Sequence, residues 1–332
     1  MAKVVFGLGA SHSPMLSTPL EQWPSFIEKD RDLPKFLGEK LLGTDGELYT
    51  FDELALRADP GIRERLTDEY FATAYEACQT AIRKAGEALT AAAPDVVIAI
   101  GDDQQELFHD TNMPSFAVYR GDHMMNVPPD IDHVPPNLRH GLWGWYDEKP
   151  TRYPADAGLG EHLITSLGQQ GFDPSTVLLE SDDVSMSHAY TYIHRRIMRE
   201  DVRPLVPVFV NCFYAPNQPS TKRCLEFGRA IRSAIDSWDS DKTVGIVASG
   251  GLSHFVVDEK LDRQVLDSMK TGDFSAVLDI PEKHLQSGNS EVKNWFVLGA
   301  ALADLSFDEI DYIPCYRSAA GTGCGMAFGT WS

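Results

Sequence analysis

The stretch Thr243–His254, TVGIVASGGLSH, decides how this chain can fold. Its first half, Thr243–Ala248, is a short apolar run rich in valine and isoleucine, which predicts a buried strand. The strand ends in Ser-Gly-Gly, and His254 follows a few residues later. Strands of this kind belong to parallel sheets, whose carboxyl ends form the usual ligand crevice. The stretch therefore predicts an α/β fold and places a histidine at the edge where a site would lie.

Further short apolar runs, bounded by Gly, Asp or Pro, lie on the amino-terminal side of this stretch. They are Val4–Leu8, Val96–Ile100, Phe116–Tyr119 and Val206–Asn211. Longer runs with helical spacing occur between and after them: Pro60–Ala93, Gly158–Gln169, Tyr190–Arg199, Ser220–Trp238, Asp258–Met269 and Glu291–Leu305. Strands that alternate with helices favour a mostly parallel central sheet flanked by helices.

The domain organisation follows from the segments that lack this regularity. The pattern of residues 17–93 predicts a helical insertion after the first strand, with loops and short helices leading into a long helix. Residues 123–158 are dense in Pro, Trp, Tyr and His and predict a long loop, which at this length is a candidate lid. With no repeat or clear linker, we expect residues 1–332 to form a single catalytic α/β domain with these insertions.

Composition excludes several classes of function. The net charge of -20 disfavours binding to nucleic acid or to an anionic membrane surface, because both need clustered Lys and Arg. No stretch approaches the ~18 apolar residues of a membrane span. The five cysteines are scattered and form no CxxC pair, which indicates neither a disulfide framework nor a thiolate zinc site. We expect a cytoplasmic protein that acts on small molecules.

Two groups of polar residues follow the first two predicted strands. His12, in ASHSP, comes directly after the first strand and either faces the crevice or packs at a turn. Asp102, Asp103, Gln104 and Glu106 crowd the turn after Val96–Ile100. Carboxylates so close together repel one another unless a cation or hydrogen-bond donors hold them. A helix cap explains one of these acids, but it does not explain three.

Two histidines lie in SHAYTYIHRR. His188 stands at the entry of a helix, where it is either a site residue or a packed histidine. His194 is followed by Arg195 and Arg196, so a solvated helix face is the expected environment.

Two further candidates come later in the chain. His254 follows paired glycines and is suited to general acid/base work, because the pKa of imidazole lies near neutrality. Glu291, in GNSE, is either a capping residue of the helix that follows or a metal ligand. Histidines and carboxylates without a cysteine pair suit Fe(II), Mn(II) or Zn(II). Two imidazoles and one carboxylate on one face, with open positions, are typical of non-haem iron oxygen chemistry.

The motifs ASHSP, GDDQ..LF, SHAY, SGGLSH and GNSE...W, in this order, resemble the class III extradiol ring-cleavage dioxygenases. The chain is similar to the catalytic β-subunit of the protocatechuate 4,5-dioxygenase superfamily. It is more similar still to the single-chain 3-O-methylgallate 3,4-dioxygenase branch, through LGASHSPMLSTP near its start and PCYRSAAGTG near its end. The resemblance extends from Val4 to Trp331.

The resemblance implies a metal ligand set. His12 matches the family's first iron ligand and Glu291 its carboxylate ligand. The family's second histidine ligand lies in an Asn-Asp-His turn, where this chain reads Asp-Asp-Gln, so that Gln104 occupies the ligand position. Glu106 or Asp103 could substitute for it.

The resemblance also implies roles for groups around the metal. His254 matches the acid/base histidine, and His188 matches a second catalytic histidine near substrate and O2. Arg317 is a candidate cation for a substrate carboxylate, and Gly251 is a candidate for backbone contact with the substrate. Thr322 lies in the run from Gly321 to Gly325, which either lines the pocket or is a tight turn into a last strand.

Together these matches imply an Fe(II)-dependent dioxygenase, with Mn(II) or Zn(II) less favoured, that opens a catechol- or gallate-type ring with O2. A 3-O-methylgallate-like substrate and a homodimer are expected from the resemblance. Two alternatives stay open: a metal-dependent hydrolase or lyase on the same scaffold, and a non-catalytic binding homologue.

Overall fold

A computed structural model describes residues 1–26, 30–32 and 40–332 of the chain. The strands, in chain order, are β1 (Lys3–Ala10), β2 (Leu41–Leu42), β3 (Leu48–Tyr49), β4 (Val96–Gly101), β5 (Phe116–Tyr119), β6 (His123–Asn126), β7 (Thr151–Pro154), β8 (Ser175–Val177), β9 (Leu205–Val210), β10 (Thr243–Ser249), β11 (His254–Val256), β12 (Phe307–Tyr316) and β13 (Thr322–Trp331).

The α-helices of the described residues are α1 (Phe51–Arg57), α2 (Pro60–Arg65), α3 (Asp68–Ala92), α4 (Pro136–Arg139), α5 (Ala157–Gln169), α6 (His188–Tyr192), α7 (Thr221–Ser237), α8 (Glu259–Thr271), α9 (Ser275–Leu278) and α10 (Val292–Ala301). A π-helical segment, Ile193–Met198, continues α6. Short 3-10 turns lie at Pro14–Ser17, Leu20–Gln22, Ile131–His133, Leu142–Gly144, Glu282–His284 and Ser287–Glu291.

Nine of the described strands form one sheet in the order β11-β13-β1-β10-β4-β9-β5-β8, with β12 also paired to β13. Its centre consists of β1, β10, β4 and β9, which run parallel to one another. Antiparallel strands extend the sheet on both sides, β13 beside β1 and β5 beside β9. The predicted α/β fold with helices around a parallel centre is confirmed.

Each face of the sheet carries its own apolar core. Along β4, Val96, Ile98 and Ile100 pack with α5, α7 and α10, whereas Val97 and Ala99 pack on the other face with α3 and α6. Successive side chains of a strand point to opposite faces, so a strand covered on both sides must be apolar at every position. This double coverage explains the continuous apolar runs in the sequence.

The structure divides the long predicted helix Pro60–Ala93 into α2 and α3. The break falls at Leu66 and Thr67, and the hydroxyl of Thr67 accepts a hydrogen bond from the backbone N–H of Tyr70 at the start of α3. A threonine in this position satisfies one of the donors that a helix start leaves without a partner. The insertion over residues 17–93 also contains the β2–β3 hairpin, while its residues 27–29 and 33–39 lie outside the described part of the chain.

The expected solvated environment of His194 is wrong. Its side chain is buried and stacks on the ring of Tyr153, with 4.1 Å between the ring centroids. Arg196 is also buried and donates hydrogen bonds to the carbonyl of Leu16 and the hydroxyl of Ser17. The segment 123–158, which includes the β6–β7 hairpin and Tyr153, covers the π-helical segment at His194 and shields it from water.

The helix that follows Glu291 lies inside the protein. Every residue of α10 is buried, because it packs between β10 and α7. Most of its residues are apolar, as expected for a helix inside the protein, and Lys293 and Asn294 are buried with them. Within the described part of the chain, every helix is too short or too polar to span a bilayer.

Candidate metal centre and active site

The carboxyl ends of the parallel strands meet at one edge of the sheet, and polar residues follow several of them. His12 comes two residues after β1, Asp102 comes directly after β4, and the Gly-Gly turn that leads to His254 comes directly after β10. Glu291 reaches the same place from the residue before α10. Four parts of the chain therefore place chemically active side chains in one small volume, as expected for the ligand crevice of an α/β sheet.

Three buried side chains lie close enough to bind one metal ion. Ligand atoms of His12, Asp102 and Glu291 all lie within 4.8 Å of one another. The Nε2 atom of His12 is 3.5 Å from Oε2 of Glu291. One imidazole nitrogen and two carboxylates form this cluster, which we call the ligand cluster.

Neighbouring polar groups orient the histidine and the glutamate of the ligand cluster. The Nδ1 atom of His12 lies 2.9 Å from the hydroxyl of Ser249, so the opposite nitrogen faces Glu291. The backbone N–H of Gly251 donates to Oε2 of Glu291 at 3.1 Å. Groups that hold a ligand in its binding orientation are typical of metal centres.

Two amides orient Asp102. Gln104 Nε2 donates to Oδ2 of Asp102 at 2.7 Å, and Asn294 Nδ2 is 3.3 Å from its Oδ1. The oxygen of the Gln104 amide in turn accepts from the hydroxyl of Tyr214 at 3.1 Å. Both ends of the Gln104 amide are thus engaged, and it lies next to the ligand cluster as a partner of Asp102.

The electrostatics of the ligand cluster favour a bound cation. Burial lowers the pKa of His12 to about 4, so its ring is neutral at pH 7 and can act as a ligand. Burial and the charge of Glu291 raise the pKa of Asp102 to about 7. Burial would also raise the pKa of Glu291, but the facing rings of His254 and His12 bring it to about 2. A divalent cation would balance two carboxylates held this close together.

His254 lies beside the ligand cluster. Its Nδ1 atom is 2.8 Å from the carbonyl of Leu252, and its Nε2 atom is 3.2 Å from Oε1 of Glu291. Burial would lower the pKa of His254, but the neighbouring carboxylate of Glu291 raises it well above its ordinary value. Gly288 packs against this residue so tightly that a Cβ atom there would lie 2.0 Å from the His254 carbonyl oxygen.

His188 forms a second imidazole beside the ligand cluster. Its ring centroid is 4.8 Å from that of His12 and 5.4 Å from that of Trp145. The Nδ1 atom of His188 lies 2.8 Å from a carboxylate oxygen of Glu106. Burial would lower the pKa of His188, but the charge of Glu106 raises it to about 9.

The two acids named as substitutes for Gln104 are engaged elsewhere. Asp103 accepts hydrogen bonds from the backbone N–H groups of Glu106 and Phe108 and from the hydroxyl of Ser187. Glu106 binds His188. Neither belongs to the ligand cluster, whereas Asp102, which sequence reasoning did not single out as a ligand, does. The one sequence signal for Asp102 was its position directly after a buried strand.

A cavity of about 660 Å³ opens over these groups. His12, His188, His254 and Glu291 line it together with Arg317. The guanidinium Nε of Arg317 donates to Asp30 at 2.8 Å, so this cation is already paired with one carboxylate.

The two remaining candidates for substrate contact have other partners. Gly251 and Thr322 are not among the described residues that line the cavity. The N–H of Gly251 is directed at Glu291, and the hydroxyl of Thr322 lies 2.6 Å from that of Ser318. The run Gly321–Gly325 enters β13, and its members Gly323 and Cys324 reach the cavity wall.

Comparisons with known proteins agree with this arrangement. A family described as the catalytic LigB subunit of aromatic ring-opening dioxygenase matches residues 65–316. A gallate dioxygenase of Pseudomonas putida is 43% identical over 107 residues, which cover 31% of this chain and 30% of that protein. The chain thus matches less than a third of this relative's length. The family match covers most of the chain, and the protein belongs to the family of catalytic LigB subunits of aromatic ring-opening dioxygenases.

Proposed function

We propose that this chain is an extradiol dioxygenase that uses a divalent metal ion, Fe(II), to open a catechol- or gallate-type ring with O2. The observation that carries the proposal is that two members of the ligand cluster, His12 and Glu291, line one cavity together with two further imidazoles, those of His188 and His254. In a chain of the aromatic ring-opening family, this cavity provides metal ligands, proton-transferring groups and space for an aromatic ring.

The donor set of the ligand cluster fits a first-row divalent ion. Imidazole binds iron, zinc and copper, and carboxylates add affinity for harder ions such as Mn(II). We therefore place Fe(II) on His12, Asp102 and Glu291, with Mn(II) or Zn(II) as less favoured occupants. When bound, such an ion supplies a Lewis acid for the oxygens of the substrate and a redox-active partner for O2.

Asp102 takes the place that sequence reasoning assigned to Gln104. Its carboxylate points toward His12 and Glu291, and the Gln104 amide donates to it. A carboxylate binds a divalent ion more strongly than a neutral amide does, because it carries a charge. We therefore assign Gln104 the role of orienting Asp102.

The cavity suits a flat, polar aromatic substrate. Trp145, Tyr214 and Phe255 provide aromatic walls, and Arg317 provides a cationic group for a substrate carboxylate. At about 660 Å³ the cavity lies within the range of pockets for small organic ligands. We propose gallate-like substrates, including 3-O-methylgallate, on this basis and on the resemblance noted above.

His254 is the group that we assign to proton transfer. The carbonyl of Leu252 accepts from Nδ1, which fixes the proton on that nitrogen and leaves Nε2 to exchange a proton with a substrate hydroxyl. The role requires a ring held in place, and the amide oxygen of Asn289 accepts from the backbone N–H of His254 at 2.9 Å. A metal ion bound to Glu291 would offset the charge that raises the pKa of His254, and His254 would then take a proton as the ring binds and return it as the ring opens.

The segment 123–158 serves as the lid of this cavity in our proposal. It contributes much of the lining: Pro129, His133, Val134, Pro135, Leu138, Leu142, Trp145 and Tyr146. The indole N–H of Trp145 also donates to the carbonyl of His12 at 3.3 Å. A long loop that excludes water from a reactive site is a common design in enzymes. We treat residues 1–332 as one catalytic domain, with this lid and the helical insertion as its additions.

The test is oxygen uptake by Fe(II)-loaded protein with gallate, 3-O-methylgallate and protocatechuate, combined with mass analysis of the products. We expect one O2 consumed per ring and a product that contains both oxygen atoms. The His140→Gln variant, which changes an exposed histidine, should behave as wild type. Fe(II)-loaded protein that consumes no O2 with any of these substrates would contradict the proposal.

A metal-dependent hydrolase or lyase is the second candidate, and the ligand cluster gives it a specific basis. One imidazole and two carboxylates depart from the two-imidazole set typical of non-haem iron oxygenases. Turnover of a substrate by Zn(II)-loaded protein under strict exclusion of O2 would favour this function. Protein that retains no metal would favour the third possibility, a non-catalytic binding homologue.

Two further expectations concern the state of the protein in the cell. All five cysteines are free and buried, in keeping with our proposal of a reducing cytoplasm. The resemblance implies a homodimer, which sedimentation analysis would test directly.

A further inference from the structure

Glu106 contacts His188 through two separate hydrogen bonds. Its Oε1 accepts from the backbone N–H of His188 at 3.0 Å, and its Oε2 lies 2.8 Å from Nδ1 of the ring. Tyr146 lies near the same carboxylate: burial and the charge of Glu106 raise the pKa of its hydroxyl. One glutamate side chain thus engages the main chain and the ring of a single histidine, and all three residues line the cavity.

This pair of contacts determines the orientation of the imidazole. A carboxylate that faces Nδ1 holds a proton on that nitrogen. The same contact fixes the direction of Nε2, which lies on the opposite side of the ring. Among the described residues no hydrogen-bond partner of Nε2 is found, so this nitrogen remains available to a molecule in the cavity. His188 therefore offers one nitrogen to the cavity while Glu106 holds the other.

The loop that carries Glu106 is itself braced against the helix that carries His188. Asp103 accepts from the backbone N–H groups of Glu106 and Phe108, which closes the loop on itself. The hydroxyl of Ser187, the residue before α6, also donates to Asp103. Because Asp103 and Glu106 contact neighbouring residues at the start of α6, the loop and the helix cannot shift independently.

We propose that Glu106 is a positioning residue: it fixes the ring of His188 so that Nε2 meets an oxygen of the bound aromatic substrate. The proposal rests on the ring-opening function proposed above for its consequence in turnover, but the orientation of the ring can be measured without turnover. Tyr146, which lines the cavity near the same carboxylate, has a smaller part.

The first experiment measures kcat and KM of metal-loaded Glu106→Gln, an isosteric change that removes the charge. We expect kcat to fall by about 10- to 100-fold, the usual effect of removing an orienting partner, with metal content and Tm close to wild type. Glu106→Asp restores a carboxylate and should recover part of the loss, and Tyr146→Phe should lower kcat by only a few-fold. Asp182→Asn is the matched control, because it removes a carboxylate from the half-buried His123, outside the cavity.

The second experiment observes the ring directly. Long-range ¹H–¹⁵N correlation spectra of Zn(II)-loaded protein, with the His188 signal identified through His188→Gln, should show a proton on Nδ1 in the wild type. In Glu106→Gln that signal should shift or broaden, whereas in Asp182→Asn it should not change. This result is independent of any substrate.

The outcomes separate the two proposals. In one outcome, wild-type protein shows the Nδ1 proton signal, and that signal shifts or broadens in Glu106→Gln, while no aromatic ring is opened. This result contradicts the ring-opening function and retains the positioning role. A His188 signal that is the same in wild type and Glu106→Gln overturns the positioning role, whatever the turnover. So does a kcat of Glu106→Gln equal to wild type when wild type is active.

Discussion

Ser253 and His254 are neighbours in the chain, but their side chains belong to polar clusters of different character. Asp262 accepts from the backbone N–H and the hydroxyl of Ser253 and from the hydroxyl of Tyr312, each at 2.7 Å. We call this the Asp262 cluster. His254 points instead into the ligand cluster, where the side-chain partners of Glu291 are His12 and His254, both of which can gain or lose a proton.

The difference indicates which cluster is structural and which is chemical. In the Asp262 cluster, neutral donors that never titrate near pH 7 satisfy the carboxylate, so the group is complete without any outside partner. In the ligand cluster the carboxylates Asp102 and Glu291 rely on amides and imidazoles, and their charges are balanced only in part. Such a group gains most from a cation or a substrate. The Asp262 cluster holds the turn, and the turn delivers His254.

The largest effect that would separate the clusters is expected from Glu291→Ala. Loss of this carboxylate should reduce metal affinity by more than the 10- to 100-fold that is typical when a residue hydrogen-bonded to a metal ligand is removed. Turnover should be lost together with the metal. Metal analysis and calorimetric titration would measure the change. The control is Glu87→Ala, which removes an exposed glutamate paired with Arg83. Unchanged metal occupancy would remove Glu291 from the ligand set.

The next effect is expected from His254→Ala. If His254 transfers protons, kcat should fall by about 10²- to 10⁴-fold, while the metal content stays near wild type because the ligand cluster is intact. Parallel metal analysis and oxygen-uptake kinetics would check both statements. Loss of metal in this variant would show that His254 is a ligand or a support for one.

An intermediate effect concerns stability and comes from the Asp262 cluster. Burial raises the pKa of Asp262 from its ordinary value of 3.8 to about 6. Between pH 4 and pH 6 the folded protein therefore binds a proton that the unfolded chain has released, so stability falls as the pH rises through this window. Relative to Asp262→Asn, which does not titrate, wild type should lose on the order of 3 kcal/mol. Urea unfolding at several pH values would measure this, and a difference that stays constant with pH would contradict it.

The smallest effect is expected from Gln104→His, which restores the imidazole of the related enzymes. Because an imidazole at position 104 can donate to Asp102 in place of the Gln104 amide or bind iron itself, iron affinity should be preserved or increase by up to about tenfold, or 1.4 kcal/mol. Gln105→His is the matched control, since Gln105 points away to Asp110. A large drop in iron affinity would mean that the imidazole cannot replace the Gln104 amide as the partner that orients Asp102.

Much of the fold could be predicted because the information is local. The five predicted strands agree with β1, β4, β5, β9 and β10 to within two residues at each end. Their apolar runs reflect burial on both faces, which constrains each position separately. The hairpin of β12 and β13 was not predicted in full, although each strand has 10 residues. Acidic residues in one strand and glycines in the other lower their β-propensity, so only pairing and burial in the sheet stabilise them.

The candidate site could be predicted in part, for a related reason. His12, Glu291, His254 and His188 stood out because each lies in a short, distinctive motif at the end of a strand or the start of a helix. His194 was misjudged, because its sequence neighbours are arginines while its spatial neighbour is Tyr153, which is distant in the chain. Burial of a helix face depends on what covers it, and a local pattern does not contain that information.

The sequence by itself determined the class of fold, the edge of the sheet that carries the chemistry and four of the groups that meet there, because apolar runs and strand-end motifs are local features. Only the tertiary structure decided which member of the turn after β4 faces His12 and Glu291. A turn directs successive side chains to different sides, and Asp102 is turned inward while Asp103 caps the loop and Glu106 binds His188. That choice depends on contacts between residues far apart in the chain.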